Sequence, residues 1–507
     1  MNIGRSSGIL LHPTSLPGSE GIGSLGTEAF DFVDFLVETH QRVWQVLPLG
    51  PTGYGDSPYQ CFSAFAGNPL LINLEKLATE GSLCTEDLRL EPAPSLDQVD
   101  YGSVIPRKQI LLRKAFEALR RSADVEQIRR FEAYCGRNSS WLEDFALFMA
   151  AKELHGGIEW TRWDPSVAAR HPDALAKLRR ELALDVDFHK YCQYQFFKQW
   201  EAVKTYANAR AIKIIGDVPI FVAHDSADVW SNREMFDLAS DGSPRVQAGV
   251  PPDYFSASGQ LWGNPLYRWE DMARGGFDWW VERIRAALSQ VDMIRLDHFR
   301  GFEAYYEVDG KAVTAAKGRW VKGPGAALFD RLEEKFGRIP AIAENLGVIT
   351  PAVEELRTRF GLPGMAILQF AFGTDPQGPD FRPHNYPRDR VVYTGTHDND
   401  TIVGWWTSAD AGSSTRALAD VEREREFALK YLAADGKEIH WAFIRAALAS
   451  VAQLAIIPLQ DVLGLGSEAR MNTPNRPSGN WRWRFKPGAI SSGIRARLSE
   501  LTALYDR

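Results

Sequence analysis

Short runs of β-branched and apolar residues recur eight times along the chain, at 8–12, 44–49, 212–222, 293–299, 339–344, 365–372, 390–396 and 454–459. Most give way to Gly, Pro or polar residues and then to apolar positions at helical spacing, at 28–38, 279–288, 326–336, 350–360 and 437–450. A short continuous apolar run reads as a strand buried on both faces, and a 3.6-residue period reads as an amphipathic helix. Strands alternating with helices predict a parallel sheet. Eight such units predict a closed (β/α)8 barrel of the TIM class rather than an open doubly wound sheet.

Two stretches break this spacing. Residues 68–205 carry mainly helical pattern, at 106–120, 125–135, 141–154, 172–182 and 189–207, while residues 223–278 are rich in Gly, Pro, Asp and aromatics. Both exceed ordinary connecting loops and are expected to form subdomains over the active face, the second covering substrate with a loop at 247–262. After the eighth run, a Pro- and Trp-rich loop at 474–483 and a final helix near 491–505 leave no room for a C-terminal β-sandwich. The expected organisation is one catalytic barrel over residues 1–507.

Four of the runs end on polar clusters: Gly216-Asp217-Val218-Pro219, Arg295-Leu296-Asp297-His298, Ala343-Glu344-Asn345-Leu346-Gly347 and Thr396-His397-Asp398-Asn399-Asp400. Barrel enzymes place their chemistry at the C-terminal ends of strands. Residues two apart on a strand share a face, so Arg295 and Asp297 are expected to point together into the barrel mouth. A guanidinium beside Asp297 favours the ionised carboxylate that a nucleophile requires. Glu344, following the small and apolar Ile339-Pro340-Ala341-Ile342-Ala343, is expected to hold its proton more tightly, as a general acid does. Each residue also has a plainer reading. A single strand-end carboxylate serves most often as a helix N-cap, Asp217 fits simple turn chemistry, Arg295 and Asp297 fit a structural ion pair, and His298 and His224 fit packed core histidines.

Charge and composition narrow the field. Lys, Arg, Asp and Glu are mixed along all 507 residues with a net charge of −7, which offers neither a basic stripe for nucleic acid nor a polybasic membrane anchor. The apolar stretch at 9–11 is too short for a signal-peptide core or a membrane span, so a cytoplasmic protein is expected. Four cysteines without C-x-x-C spacing fit reduced thiols rather than a disulfide or zinc scaffold. The 16 Trp residues suit either sugar-stacking platforms or a large core. Gly21-Ile22-Gly23-Ser24-Leu25-Gly26 matches G-x-G-x-x-G, but the next strand ends Leu47-Pro48-Leu49-Gly50-Pro51 without the acidic residue a ribose needs, so no cofactor is expected.

The four clusters resemble the signature regions of the α-amylase clan. Together with the stretches 8–17, 53–60, 216–221, 248–256 and 259–265, they make the chain most similar to the 4-α-glucanotransferases known as amylomaltases or disproportionating enzymes, glycoside hydrolase family 77. Gly249-Val250-Pro251-Pro252-Asp253 and Gln260-Leu261-Trp262-Gly263-Asn264-Pro265 are especially specific within the clan. The resemblance implies transfer of α-1,4-glucan segments between malto-oligosaccharides by retaining double displacement. It makes Asp297 the nucleophile, Glu344 the acid and base, and Asp398 the residue that holds the distorted sugar. Arg295 and His397 contact the same ring by this likeness, while Ser57, Tyr59, Asp217, Asp253, Gln260 and Trp262 line the subsites; His298 is grouped with them. The retaining chemistry expects the Asp297 and Glu344 carboxyl groups about 5 to 5.5 Å apart.

Malto-oligosaccharides are thus the expected partners of a monomer or weak homodimer. The competing readings are an α-glucan hydrolase or branching enzyme on the same carboxylates, a metal-dependent barrel enzyme, and a catalytically silent glucan-binding protein. Dispersed Asp and Glu without a helping His cluster weigh against the metal enzyme.

Overall fold

Lys213–Val218 buries every residue after the first, as a parallel strand covered on both sides must. The computed structural model describes residues 4–88, 95–252, 258–408 and 418–507. In chain order its strands are Ser6–Leu10 (β1), Val43–Gln45 (β2), Lys213–Val218 (β3), Val246–Val250 (β4), Gln260–Pro265 (β5), Met293–Leu296 (β6), Ala304–Asp309 (β7), Gly318–Lys322 (β8), Ala341–Ala343 (β9), Gly364–Ile367 (β10), Arg390–Tyr393 (β11) and Leu454–Pro458 (β12). Eight of them close a barrel in the order β1-β12-β11-β10-β9-β6-β3-β2, and every pairing is parallel. The eight apolar runs of the sequence are these eight strands, so the fold is a (β/α)8 barrel.

Close approach at the seam explains Gly8. A Cβ there would lie 2.4 Å from the backbone oxygen of Val43 on β2. Outside the barrel run the helices that the apolar spacing predicts, including Thr27–Glu38, Asp278–Gln290, Ala326–Phe336, Pro351–Arg359 and Ile439–Ala449. Beyond β12 the described residues hold the helices Leu459–Leu463 and Ser492–Leu504 and no further strand. No helix among the described residues is long and apolar enough to cross a membrane.

One helix start differs from expectation. Pro106 is expected near a helix N-terminus, but the helix runs Tyr101–Arg120 with Pro106 inside it. The preceding segment is fixed by Val99 N–H on the carbonyl of Arg482 (2.7 Å) and by the Tyr101 hydroxyl on the carbonyl of Trp481 (2.9 Å). The missing N–H of Pro106 deprives only the carbonyl of Gly102, an exposed residue that water can serve.

The glycines at 21–26 belong to packing. A Cβ at Gly23 would lie 2.0 Å from the carbonyl oxygen of Pro13, and one at Gly26 would meet the side chain of Asn73.

Four strands form a second sheet in the order β5-β4-β7-β8, with antiparallel pairings. Half of it, β7 and β8, comes from residues 304–322, which the sequence pattern left without an element. Every β8 residue except the partly buried Val321 is exposed, so the strand carries no apolar alternation to find. One row of paired residues crosses the whole sheet: Leu261 opposite Gly249, Gly249 opposite Tyr306, and Tyr306 opposite Trp320.

Candidate active site

Adjacent strands bring the polar clusters together. Asp217 on β3 and Arg295 on β6 are register partners, Asp297 follows the end of β6, and Glu344 follows the end of β9. The Arg295 guanidinium is the common partner: Nη1 reaches Asp217 Oδ2 at 2.5 Å and Asp297 Oδ1 at 3.0 Å, while Nη2 reaches Glu344 Oε1 at 2.9 Å. The hydroxyl of Tyr59 donates to Asp217 Oδ2 at 2.8 Å. One cation thus faces three carboxylates. Full ionisation would leave two uncompensated negative charges in a desolvated pocket, so burial works against ionising all three at once.

The electrostatics around the pair run against the expectation from sequence. Burial, followed by repulsion from Glu344, raises the pKa of Asp297 well above the ordinary aspartate value despite Arg295. Burial also opposes charge on Glu344, but Arg295 and the backbone N–H of His298 outweigh it and hold that pKa below the ordinary glutamate value. The His298 N–H donates to Glu344 Oε2 at 2.5 Å. Each carboxyl group lies in the field of the other, so they titrate as a pair. The surroundings thus favour charge on Glu344 over charge on Asp297. The apolar run before Glu344 carried no sign of the His298 N–H that stabilises its charge.

The turn after Asp297 is tight. His298 takes a left-handed backbone conformation, φ 49°, which is strained for a non-glycine residue. Its ring meets Trp262 edge to face, with centroids 4.8 Å apart and planes at 87°. Burial pushes the imidazole down to about 4, so it is neutral near pH 7.

On the far wall, His397 stacks on Tyr59 with ring centroids 5.0 Å apart, and its Nε2 lies 3.4 Å from Asp398 Oδ1. Asp398 is 46% exposed at its side chain. Its Oδ1 accepts from Asn472 Nδ2 at 2.6 Å, and its carbonyl accepts from Arg470 at 2.6 Å.

Above these groups opens a cavity of about 820 Å³. Ser57, Tyr59, Gln260, Trp262, Asp297, His298, Glu344, His397 and Asp398 all line it. Asp217 and Arg295 do not. Their side chains are 0% and 3% exposed and form the layer beneath the carboxylate pair. The residues of the cleft therefore assemble what acetal chemistry needs: two coupled carboxyl groups, a third carboxylate across the cavity, and aromatic faces for sugar rings.

Known proteins match along the same length. A family model described as 4-alpha-glucanotransferase matches residues 11–491. The chain belongs to the 4-alpha-glucanotransferase family. It is 52% identical to the 4-alpha-glucanotransferase of Thermus thermophilus over 100% of both chains, and 49% identical to that of Synechocystis sp. over 99% of this chain and 98% of the other. An amylomaltase from Streptococcus agalactiae, solved in complex with acarbose, superposes with a TM-score of 0.94 at 40% identity, covering 99% of each chain.

The 4-alpha-glucanotransferase fold brings further residues to the cleft that carried no motif. Asn472, Arg476 and Trp481 line it from the segment after β12. Trp481 lies 5.7 Å from the Tyr59 ring and 5.9 Å from His397. The Pro- and Trp-rich composition of 474–483 marked the segment but not its destination. Asp253 lies outside the described residues, as do the other residues at 253–257 of the 247–262 loop. Trp262 and Trp481 are the tryptophans of the cleft, whereas Trp44, Trp160, Trp200, Trp230 and Trp280 are fully buried core.

Proposed function

We propose that this enzyme transfers α-1,4-glucan segments from one malto-oligosaccharide to the 4-hydroxyl of another by retaining double displacement. In the first step a carboxylate oxygen of Asp297 bonds to the anomeric carbon while the glycosidic oxygen leaves with the proton of Glu344. In the second, the 4-hydroxyl of an acceptor bonds to that carbon, its proton passes to Glu344, and Asp297 departs as carboxylate. Asp398, held by Asn472 and facing His397, is placed to hold sugar hydroxyls. Asp217 and Arg295 act from beneath by orienting and charging the pair.

The observation that carries this reading is Arg295, which holds Asp297 and Glu344 at 3.0 and 2.9 Å in one open cavity. Their attachment to the two terminal nitrogens of one guanidinium supports a close retaining pair over the roughly 6.5–9.5 Å spacing that leaves room for an inverting water. The productive form carries the single proton of the pair on Glu344, against the direction that the protein surroundings favour. Substrate drives that placement by presenting a basic oxygen to Glu344 and an electrophilic carbon to Asp297. Transfer prevails over hydrolysis when sugar is ordered and water excluded, and the 247–262 segment, with Gln260 and Trp262 on the cleft, is read as the cover that does so.

Incubation with maltotriose tests the proposal. The expected products are glucose together with a ladder of oligomers longer than the substrate, and Glu344→Gln suppresses both. Glucose and maltose alone would instead assign a hydrolase.

A further inference from the structure

Both edges of the outer sheet hold the same turn of the barrel. At the β5 edge, Trp262 packs on His298 with centroids 4.8 Å apart. At the β8 edge, the guanidinium carbon of Arg300 lies 3.6 Å from the centroid of the Trp320 ring. His298 and Arg300 flank Phe299, immediately after Asp297. The sheet is therefore pinned at two points to the turn that carries the proposed nucleophile.

Arg300 joins a third segment. Its side chain is buried, and Nη1 donates to the carbonyl of Val348, in the loop that follows Glu344. The backbone repeats the link, because Phe299 N–H donates to the carbonyl of Glu344 at 3.1 Å. Gly301 permits the tight packing here, since a Cβ would lie 2.9 Å from the Ile220 side chain. The row Trp320, Tyr306, Gly249 and Leu261 then runs from this brace across four strands to the cleft wall. Trp320 and Tyr306 are in ring contact at 5.3 Å. A sheet pinned at both edges resists tilting; without the Arg300 clamp the end of β8 is held to this turn by the Gly323 and Gly325 N–H groups on the carbonyls of Glu303 and Phe302, and the sheet tilts more readily about the Trp262–His298 contact, admitting water beside Asp297.

We infer that Arg300, clamped on Trp320, is a positioning residue that fixes the outer sheet over the Asp297–Glu344 pair and so sets the division of the glucosyl group between sugar and water. The inference rests on the double-displacement reading. Arg300 touches no reacting atom and acts through the turn, the Val348 loop and the sheet.

The test uses the full-length enzyme with maltotriose. Transfer conserves the number of reducing ends and each hydrolysis adds one, so reducing-end production against total glucose release measures the division directly. Arg300→Met and Trp320→Ala are expected to raise the hydrolysis share about three- to fivefold, in keeping with the worth of one cation–π contact on an exposed ring, and to raise the KM for acceptor more than they lower kcat. Trp320→Phe, which keeps a face for the guanidinium, is expected to restore most of the wild-type division. A wild-type division in both Arg300→Met and Trp320→Ala overturns the inference, even where their melting temperatures fall; if Arg300→Met does not fold, Trp320→Ala decides alone. Asp297→Asn separates the two readings: an active Asp297→Asn enzyme removes double displacement itself, whereas an inactive one alongside unchanged brace variants removes only the brace.

Discussion

Arg295 places Nη2 2.9 Å from Oε1 of Glu344, and this contact, with the His298 N–H, reverses the effect of burial on that carboxyl group. A pair that works with one proton loses activity when it gains a second at low pH and when it loses the first at high pH, giving a bell-shaped profile of kcat/KM. Arg295 disfavours the second proton because it stabilises carboxylate charge. Replacing it with Gln removes the cation that depresses Glu344 and opposes burial at Asp297, so both limbs are expected to move to higher pH. The kcat/KM at the new optimum should fall by about 100-fold or more, the scale of losing one preorganised charge partner. An unchanged acid limb in Arg295→Gln would contradict the electrostatic assignment.

Asp398 depends on a residue that no motif announced. Asn472 donates to its carboxylate at 2.6 Å, His397 Nε2 lies farther off at 3.4 Å, and the Asp398 backbone is held by Arg470 and Thr396. A hydrogen bond to a charged group is worth about 1.5–3 kcal/mol, so Asn472→Ala is expected to lower kcat about 10- to 100-fold by freeing the side chain of Asp398. Asn472→Asp should do at least as much harm, because it sets a like charge against the carboxylate. Steady-state kinetics on maltotriose, with circular dichroism to confirm folding, checks both variants.

The contrast between Asp398 and Asn472 explains what could be read from the chain. Barrel strands are apolar runs with both faces buried, and Asp297, Glu344 and Asp398 stand where those runs end, so periodicity located them. Asn472 lies in irregular chain between Met471 and Thr473, where only the folded path brings it beside Asp398. The protonation of the pair was hidden for a similar reason. The sequence placed Arg295 near Asp297, but its contact with Glu344 comes from the neighbouring strand β9, and the His298 donor comes from a left-handed turn that apolar spacing does not encode. β8 escaped notice because its cross-strand partners, not its own alternation, make it a strand.

The barrel seam has its own local requirement. Gly8→Ala would set a methyl group 2.4 Å from the Val43 carbonyl oxygen, and the nearest atoms are the backbone and Cβ of Val43, with no flexible side-chain end to yield. Separation of β1 from β2 is the remaining response, with a loss on the order of 3 kcal/mol or more. The expected result is a markedly lower melting temperature and a larger insoluble fraction on expression, compared with Ala substituted at the exposed Gly81, where only the positive φ of 78° is disturbed.

At the opposite end from the carboxylates, the side chain of Arg507 closes the base of the barrel. Its guanidinium donates to the carbonyls of Ser6 (3.0 Å), Ala452 (2.9 Å), Leu448 (2.8 Å) and Ala447 (3.1 Å). Two of these belong to the last turn of the helix Ile439–Ala449, where carbonyls lack intrahelical partners, and Ser6 begins the β1–β12 seam. Arg5 adds donations to Leu448 and Ser450, so residues from both ends of the described chain secure one junction. Arg507→Met keeps much of the buried volume but removes the guanidinium from the carbonyls of Ser6 and Ala452, while Leu448 keeps Arg5 and Ala447 keeps Ser450, a loss on the order of 3 kcal/mol. The melting temperature is therefore expected to fall while kcat/KM per folded molecule on maltotriose stays at the wild-type value, since no contact of Arg507 reaches the cleft. A parallel loss of activity without a change in melting temperature would place Arg507 in a role other than closing the barrel.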